Sequence, residues 1–377
     1  MSETVLIIGS TGYVGSHVTK AFLLAGYTVR ATSRDVKGTE AWLPNIVNNA
    51  SITIHALDID AQNGGFACKN ALEKLLEGVS VVCFCAGTEK QDESTIKFMS
   101  NTVEELVSTT QKVLCVAGAS KKPCVIIASS TGSTNKPDAD PAEPKSEITA
   151  WSDKEKQIAN GRFSPAAKTI METAALNLCG IGTDNSIIDQ AVYDASPRLC
   201  IVNFSLILGS QLRPGEISAP GLKWFKSICQ GQKMNEQIPN DSMSCIHTED
   251  VGKLFVACAK NDKAQHRYFG VNKSFTWERI LTEVSHVMKA YELPPKNYEE
   301  EAPVTSFDKS RQQELLTGAG VGADLIDLPK MVLDAIQYFE KTDGGFRFGR
   351  ADGDVGEESG VKWNKDDQQA ASKVTRG

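Results

Sequence analysis

Three glycines, Gly9, Gly12 and Gly15, stand at G-x-x-G-x-x-G spacing near the start of the chain. The chemistry this spacing offers is anion binding. A tight turn lets the backbone approach a pyrophosphate, and a helix that starts there presents free N–H groups and a positive dipole end. The candidate contacts are Gly9, Thr11, Gly12, Tyr13, Val14 and Gly15. Two cations follow in Thr32-Ser33-Arg34-Asp35-Val36-Lys37. Arg34, with Lys37 behind it, offers charge-assisted bonds to a ribose 2′-phosphate, whereas an acidic residue at such a tip grips a free 2′-hydroxyl. The pattern favours NADP over NAD, with Asp35 keeping NAD open. Asp58 and Ile59 suit an adenine amino group and ring face, and Ala86-Gly87 gives a backbone flat enough to lie against adenosine and ribose.

These residues converge only if the elements before them are parallel strands. Apolar runs at 5–8, 27–32, 51–57, 79–85, 124–129 and 199–206 read as six buried strands. Helical patterns lie between them at 14–25, 67–77, 100–119 and 165–179. That alternation predicts an α/β, Rossmann-type, doubly wound parallel sheet with helices on both faces and ligands beyond the C-terminal strand ends. Residues 134–148 read as an exposed loop and 180–197 as a surface excursion. From about 215 the pattern becomes irregular, with helices near 220–230, 249–260, 276–291 and 328–341. The expected organisation is a nucleotide-binding domain over 1–341, with a smaller C-terminal substrate-binding part mainly at 210–341, then a flexible tail at 342–377.

Composition narrows the function classes. The 377 residues are 41% apolar with a net charge of −7, and without a long basic run nucleic-acid binding is not expected. No apolar run approaches the ~20 residues that span a bilayer. A first strand at Thr4 leaves no room for a leader. The ten cysteines lie mostly in apolar segments and read as small buried hydrophobes of a reducing, cytoplasmic compartment. Cys83 and Cys85 share a strand face, but no second ligand pair sits nearby, so no metal site is expected.

Taken together, Ile8-Gly-Ser-Thr-Gly-Tyr-Val-Gly, Tyr27-Thr-Val-Arg-Ala-Thr-Ser-Arg-Asp, Ile127-Ala-Ser-Ser-Thr-Gly, Ala150-Trp-Ser-Asp, Lys168-Thr-Ile-Met-Glu-Thr-Ala-Ala, Ile201-Val-Asn-Phe-Ser-Leu-Ile-Leu-Gly and Cys245-Ile-His-Thr-Glu-Asp-Val resemble the extended short-chain dehydrogenase/reductases (epimerase/dehydratase-like). The dihydroflavonol-reductase and cinnamoyl-CoA-reductase branch is most similar, and the likeness spans about 4–340. The resemblance implies hydride exchange between a nicotinamide and a carbonyl, with a Ser, a Tyr and a Lys as machinery. It places the serine at Ser130 and the lysine, which also binds the nicotinamide ribose, at Lys168. The tyrosine position, four residues before the lysine, holds Ser164.

A serine hydroxyl is a far weaker acid than a phenol, whose reference pKa is about 10, and it is shorter. Three readings stay open: another proton donor such as Lys168, Thr131 or water; a nucleotide-binding protein with little catalysis; or a tyrosine from elsewhere, for example Tyr193. Phe204 stands where the family has a proline. Ser130 alternatively satisfies backbone at a strand end, His247 and Asp250 brace the helix near 249–260, and Trp151, Ser152 and Asp153 shape the loop before the helix of Lys168. The expected function is an NADP(H)-binding reductase-like protein acting on a small carbonyl or hydroxyl compound with an atypical site. The alternative is a non-catalytic nucleotide-binding subunit of a larger assembly, or a homodimer, joined through the tail by Phe346, Phe348 or Trp363.

Overall fold

In a computed structural model of the protein, which describes residues 2–48, 50–88, 90–115, 121–137 and 143–348, the first strand shows how the fold is built. Strand β1 (Thr4–Ile8) sends Val5 and Ile7 into one core and Leu6 and Ile8 into another, as the two-residue period of a strand dictates. A strand apolar on both faces needs cover on both. The strands that join it are β2 (Thr28–Ser33), β3 (Ile52–Ala56), β4 (Val81–Phe84), β5 (Cys124–Ser130), β6 (Arg198–Phe204) and β9 (His266–Gly270). They form a seven-stranded sheet in the order β3-β2-β1-β4-β5-β6-β9, and every pairing is parallel. The order reverses between β1 and β4, which opens a crevice at the C-terminal strand ends.

Helices α1 (Tyr13–Leu24), α9 (Thr248–Lys260) and α11 (Ser310–Gly318) cover the Val5 face. The Leu6 face is covered by α3 (Lys69–Leu76), α4 (Ser94–Leu114) and α6 (Phe163–Leu178). Short helices α2 (Val36–Glu40), α5 (Lys154–Ala159) and α7 (Gln190–Asp194) sit in the connections. A third core forms from α8 (Pro220–Cys229), α10 (Trp277–Val287) and α12 (Leu328–Thr342) against a three-stranded sheet. Its strands are β7 (Leu206–Leu208), β8 (Ser242–His247) and β10 (Lys273–Thr276), in the order β10-β8-β7.

The doubly wound parallel sheet is as expected, with four differences. The sixth strand, read as one run to 206, stops at Phe204, and Leu206 begins β7 in the second sheet. The seventh strand, β9, is additional. Residues 134–148 are not simply exposed: Thr134 and Glu147 are buried, while 138–142 lie outside the described residues. The start of the tail is packed, with the Phe346 ring 5.3 Å from Phe339 and the Phe348 ring 4.9 Å from Tyr291. Trp363 lies outside the described residues. No helix among them is long and apolar enough to cross a membrane.

Candidate active site

Gly9 follows β1 with φ of 82°, a left-handed conformation that glycine adopts without strain. A Cβ there would lie 2.6 Å from the Ala86 nitrogen, so the ends of β1 and β4 touch at the crevice. Gly12 is different. The nearest atom to a Cβ at Gly12 is Gly9 O at 3.4 Å, so the chain's own packing leaves room there. Gly12 is also the N-cap of α1 and gives no side-chain cap. A bare helix start with open space at its cap fits a pyrophosphate. Thr11 and Val14 are half-buried beside it. The Tyr13 side chain points away, its hydroxyl donating to Gly209 O at 3.2 Å within the third core, so only its backbone can face an anion.

Past β2, Arg34 and Lys37 are exposed and form no ion pair among the described residues. Asp35 is committed differently: its Oδ1 accepts the Gly38 N–H at 3.0 Å and caps α2. Asp58 is exposed after β3 and accepts the Ile59 N–H at 2.9 Å. Ala86 is half-buried and Gly87 exposed after β4, with no heavy atom within 4 Å of a Cβ at Gly87. All of these lie beyond C-terminal strand ends, those after β2 and β3 on the β1 side of the crevice and Ala86-Gly87 on the β4 side.

The second half of the crevice is built by β5 and α6. Ser130 ends β5 and caps a tight turn, Thr131–Ser133, its Oγ accepting the Gly132 N–H at 3.1 Å. That bond uses an oxygen lone pair and leaves the hydroxyl hydrogen free to donate. Lys168 is half-buried in α6, and its Nζ donates to Ala128 O of β5 at 3.0 Å. Burial pushes the Lys168 amine down to about 8, against the attraction of Glu172. A Cβ at Gly132 would meet Pro165 Cβ at 3.2 Å, so the turn after Ser130 abuts the start of α6, where Ser164 is half-buried. Ser130, Ser164 and Lys168 are thereby brought to one place.

Tyr193 is not. Its hydroxyl bonds Gln265 at 2.8 Å, and its ring lies under the Lys122 ammonium. Both neighbours precede the first residues of strands β9 and β5, so this tyrosine sits at the opposite end of the sheet and cannot replace the missing phenol. Phe204 is buried, its ring 6.0 Å from Phe255 and stacked on it. His247 caps α9 and meets Asp334 at 3.1 Å, and Asp250 accepts the Ile326 N–H at 2.8 Å. Both brace α9. Ser152 ties the Ser130 turn by donating to Gly132 O at 2.9 Å, while Asp153 caps α5.

Beneath Ser130 lies a group of residues that the motifs left without a role. Glu172, one helical turn after Lys168, is wholly buried. Its Oε1 accepts from the hydroxyls of Ser129 and Ser133 and from Asn203 Nδ2. Its Oε2 faces Arg267 Nε of β9 at 2.9 Å, and Arg267 is wholly buried too. Arg267 donates to Glu147 O and Ala150 O at 3.0 and 2.9 Å, and its guanidinium lies 3.8 Å from the Trp151 ring centroid. The sequence signal was a glutamate four residues after the lysine in an otherwise apolar stretch.

Residues 5–156 match the model of the NAD dependent epimerase/dehydratase family. Along most of its length the chain is similar to plant reductases. It is 22% identical over 344 residues to cinnamoyl-CoA reductase 2 of Medicago truncatula, covering 90% of this chain and 92% of that protein. It is 26% identical over 352 residues to tetraketide alpha-pyrone reductase 2 of Arabidopsis thaliana, covering 90% and 99%. Among solved structures, vestitone reductase from alfalfa superposes with a TM-score of 0.65 at 20% identity, covering 90% of this chain and 98% of that one. Yeast methylglyoxal/isovaleraldehyde reductase complexed with NADPH superposes with a TM-score of 0.68 at 17% identity, covering 91% and 99%. These likenesses establish the fold, a Rossmann-type one shared with solved reductases.

Proposed function

We propose that this chain, an extended short-chain dehydrogenase/reductase in fold and family likeness, binds NADP(H) and reduces a small carbonyl compound with Lys168 in place of the usual tyrosine. The bare start of α1 at Gly12 takes the pyrophosphate, with the backbone of Thr11, Tyr13 and Val14 around it. Arg34 and Lys37, without an ion pair among the described residues at the tip of β2, take the 2′-phosphate. Asp58, Ile59, Ala86 and Gly87 flank the adenosine. The yeast reductase's bound NADPH supports this assignment. Bound cofactor supplies a hydride to the carbonyl carbon.

The chain's own residues handle the oxygen. Ser130 Oγ has its hydrogen free and polarises the carbonyl by donating to it. Lys168, its pKa lowered to about 8 by burial, is placed to give a proton to the developing alkoxide, directly or through water. Ser164 is too short and too weakly acidic for that task. The observation that carries this reading is Lys168: an amine brought down to about 8 by burial, anchored to β5 two residues before Ser130.

Ser164 equally supports a second reading, a nucleotide-binding subunit without turnover. The test is NADPH binding by fluorescence, followed by hydride transfer to a panel of aldehydes and ketones. Arg34→Ala should weaken NADPH about tenfold or more and NADH little. Equal loss for both cofactors would remove the 2′-phosphate assignment. Tight binding with no turnover across the panel would favour the second reading.

A further inference from the structure

We infer that the buried Glu172–Arg267 pair is a positioning device for the catalytic turn: it clamps the residues on both sides of Ser130 and presents a fixed negative charge to Lys168. The inference rests on the proposed role of Ser130 and Lys168, but part of its test does not.

The geometry is unusually concentrated. Ser129, just before Ser130, and Ser133, at the end of the turn, both donate to the same Glu172 oxygen. Asn203 of β6 donates to that oxygen at 2.8 Å and also to Ser130 O at 3.2 Å. Ser133 Oγ also lies 2.7 Å from Ser130 O, so its one hydrogen is shared between that carbonyl and Glu172. The backbone of Ser130 is therefore held from β6, from its own turn and, through Ser133, from α6. Arg267 adds the remaining walls, reaching Ser133 O at 3.3 Å and the carbonyls of Glu147 and Ala150. A wholly buried ion pair is a poor source of stability, because two ions lose their water. Well-packed apolar residues would stabilise this spot as well. The pair instead specifies one arrangement, and that arrangement is the turn carrying Ser130.

Charge gives the second half of the argument. Glu172 is one turn along α6 from Lys168. The titratable groups acting on Lys168 are Glu172 from its own helix and Cys85 from the end of β4. Burial pushes the Cys85 thiol up, so it stays uncharged. Glu172 is thus the anion that opposes the desolvation of Lys168.

The test uses the full chain with lysine side chains carbon-13 labelled, the Lys168 signal being assigned by its loss in Lys168→Met. In Glu172→Gln, the Lys168 titration midpoint should fall by about one pH unit. The kcat for any carbonyl substrate should fall about tenfold or more, from loss of alignment, with NADPH affinity nearly unchanged. Because that variant leaves a buried cation alone and is at risk of not folding, Glu172→Gln combined with Arg267→Met supplies a neutral pair. It should fold and show the same direction of change in both readouts. A folded variant with an unmoved Lys168 midpoint and unmoved kcat would overturn the inference. The titration reads out even if no carbonyl is ever turned over, so failure of the reductase reading is seen separately.

Discussion

Position 164 sets how a proton could be delivered. A phenol at the start of α6 would put an acid on the helix of Lys168, while the hydroxyl of Ser164 makes no hydrogen bond among the described residues, so the reduction proposed above must draw its proton from Lys168. Two outcomes follow. Turnover that needs protonated Lys168 should fall as pH rises through about 8, read from kcat against pH. Ser164→Tyr should raise carbonyl reduction about tenfold or more, since a placed general acid contributes on the order of 10²–10⁴. Unchanged turnover with NADPH still bound would mean the substrate pocket, not the acid, limits the protein. Gly12 and Arg34 were singled out by residue type and spacing, and Ser130, Lys168 and the absent tyrosine by the resemblance to the reductase family. Glu172 and Arg267 were not, because a buried charge looks like a surface charge until its partner, 95 residues away in sequence, is seen beside it.

Elements follow the same logic. Most strands were readable as parallel and buried, but β3, read as buried, is the sheet edge and half exposed, and α4, read from 100, begins at Ser94. β9 escaped because His266 and Arg267 break the apolar run that marks a buried strand; Arg267 is buried with Glu172 and three backbone carbonyls as partners. β7 escaped because it continues an apolar run, the change of sheet occurring at Ser205 without any breaker residue. Helix α1 carries a consequence for pH. His17 is buried, its Nε2 bonded to Ser210 O at 2.8 Å, and burial pushes it from 6.5 down to about 4. Between those values the unfolded chain holds the proton and the folded chain does not, so stability is lost as pH falls from neutrality toward 4. At pH 5 this one group accounts for about 2 kcal/mol relative to pH 7. His17→Gln, which can keep a donor toward Ser210, should show a smaller drop in urea midpoint between pH 7 and pH 5 than the parent. An equal drop would place the acid sensitivity elsewhere, for example at His266, which burial also lowers to about 4.

At the scale of the molecule, the question is whether the third core can unfold alone. Two helices argue that it cannot. α1 buries Val18 and Phe22 in the first core and Tyr13 in the third, and its Tyr13 and His17 side chains bond the Gly209 and Ser210 carbonyls beyond β7. α9 buries Val251, Leu254 and Phe255 in the first core, while His247 and Asp250 at its start hold Asp334 of α12 and the backbone of Ile326. Exposing the third core would strip polar partners from the helices that cover the nucleotide-binding sheet, at a cost of roughly 1–3 kcal/mol for each group left buried and unpaired. The packed start of the tail probes this coupling from the far side. Phe348 sits against Tyr291, in the space over Gly231 where a Cβ would lie 2.7 Å from its ring, and Asp343 pairs with Lys226 at 2.6 Å. Phe348→Ala should cost about 1–2 kcal/mol, below the range for a fully buried ring because Phe348 is only half-buried. Measured by urea, the loss should appear as one shifted transition, coincident in tryptophan fluorescence and far-ultraviolet circular dichroism. Trp224 and Trp277 lie in the third core and Trp42 and Trp151 on the other two, so a fluorescence transition ahead of the dichroism that persists when Trp42 and Trp151 are replaced by Phe would show that the two parts unfold separately and that α1 and α9 do not couple them.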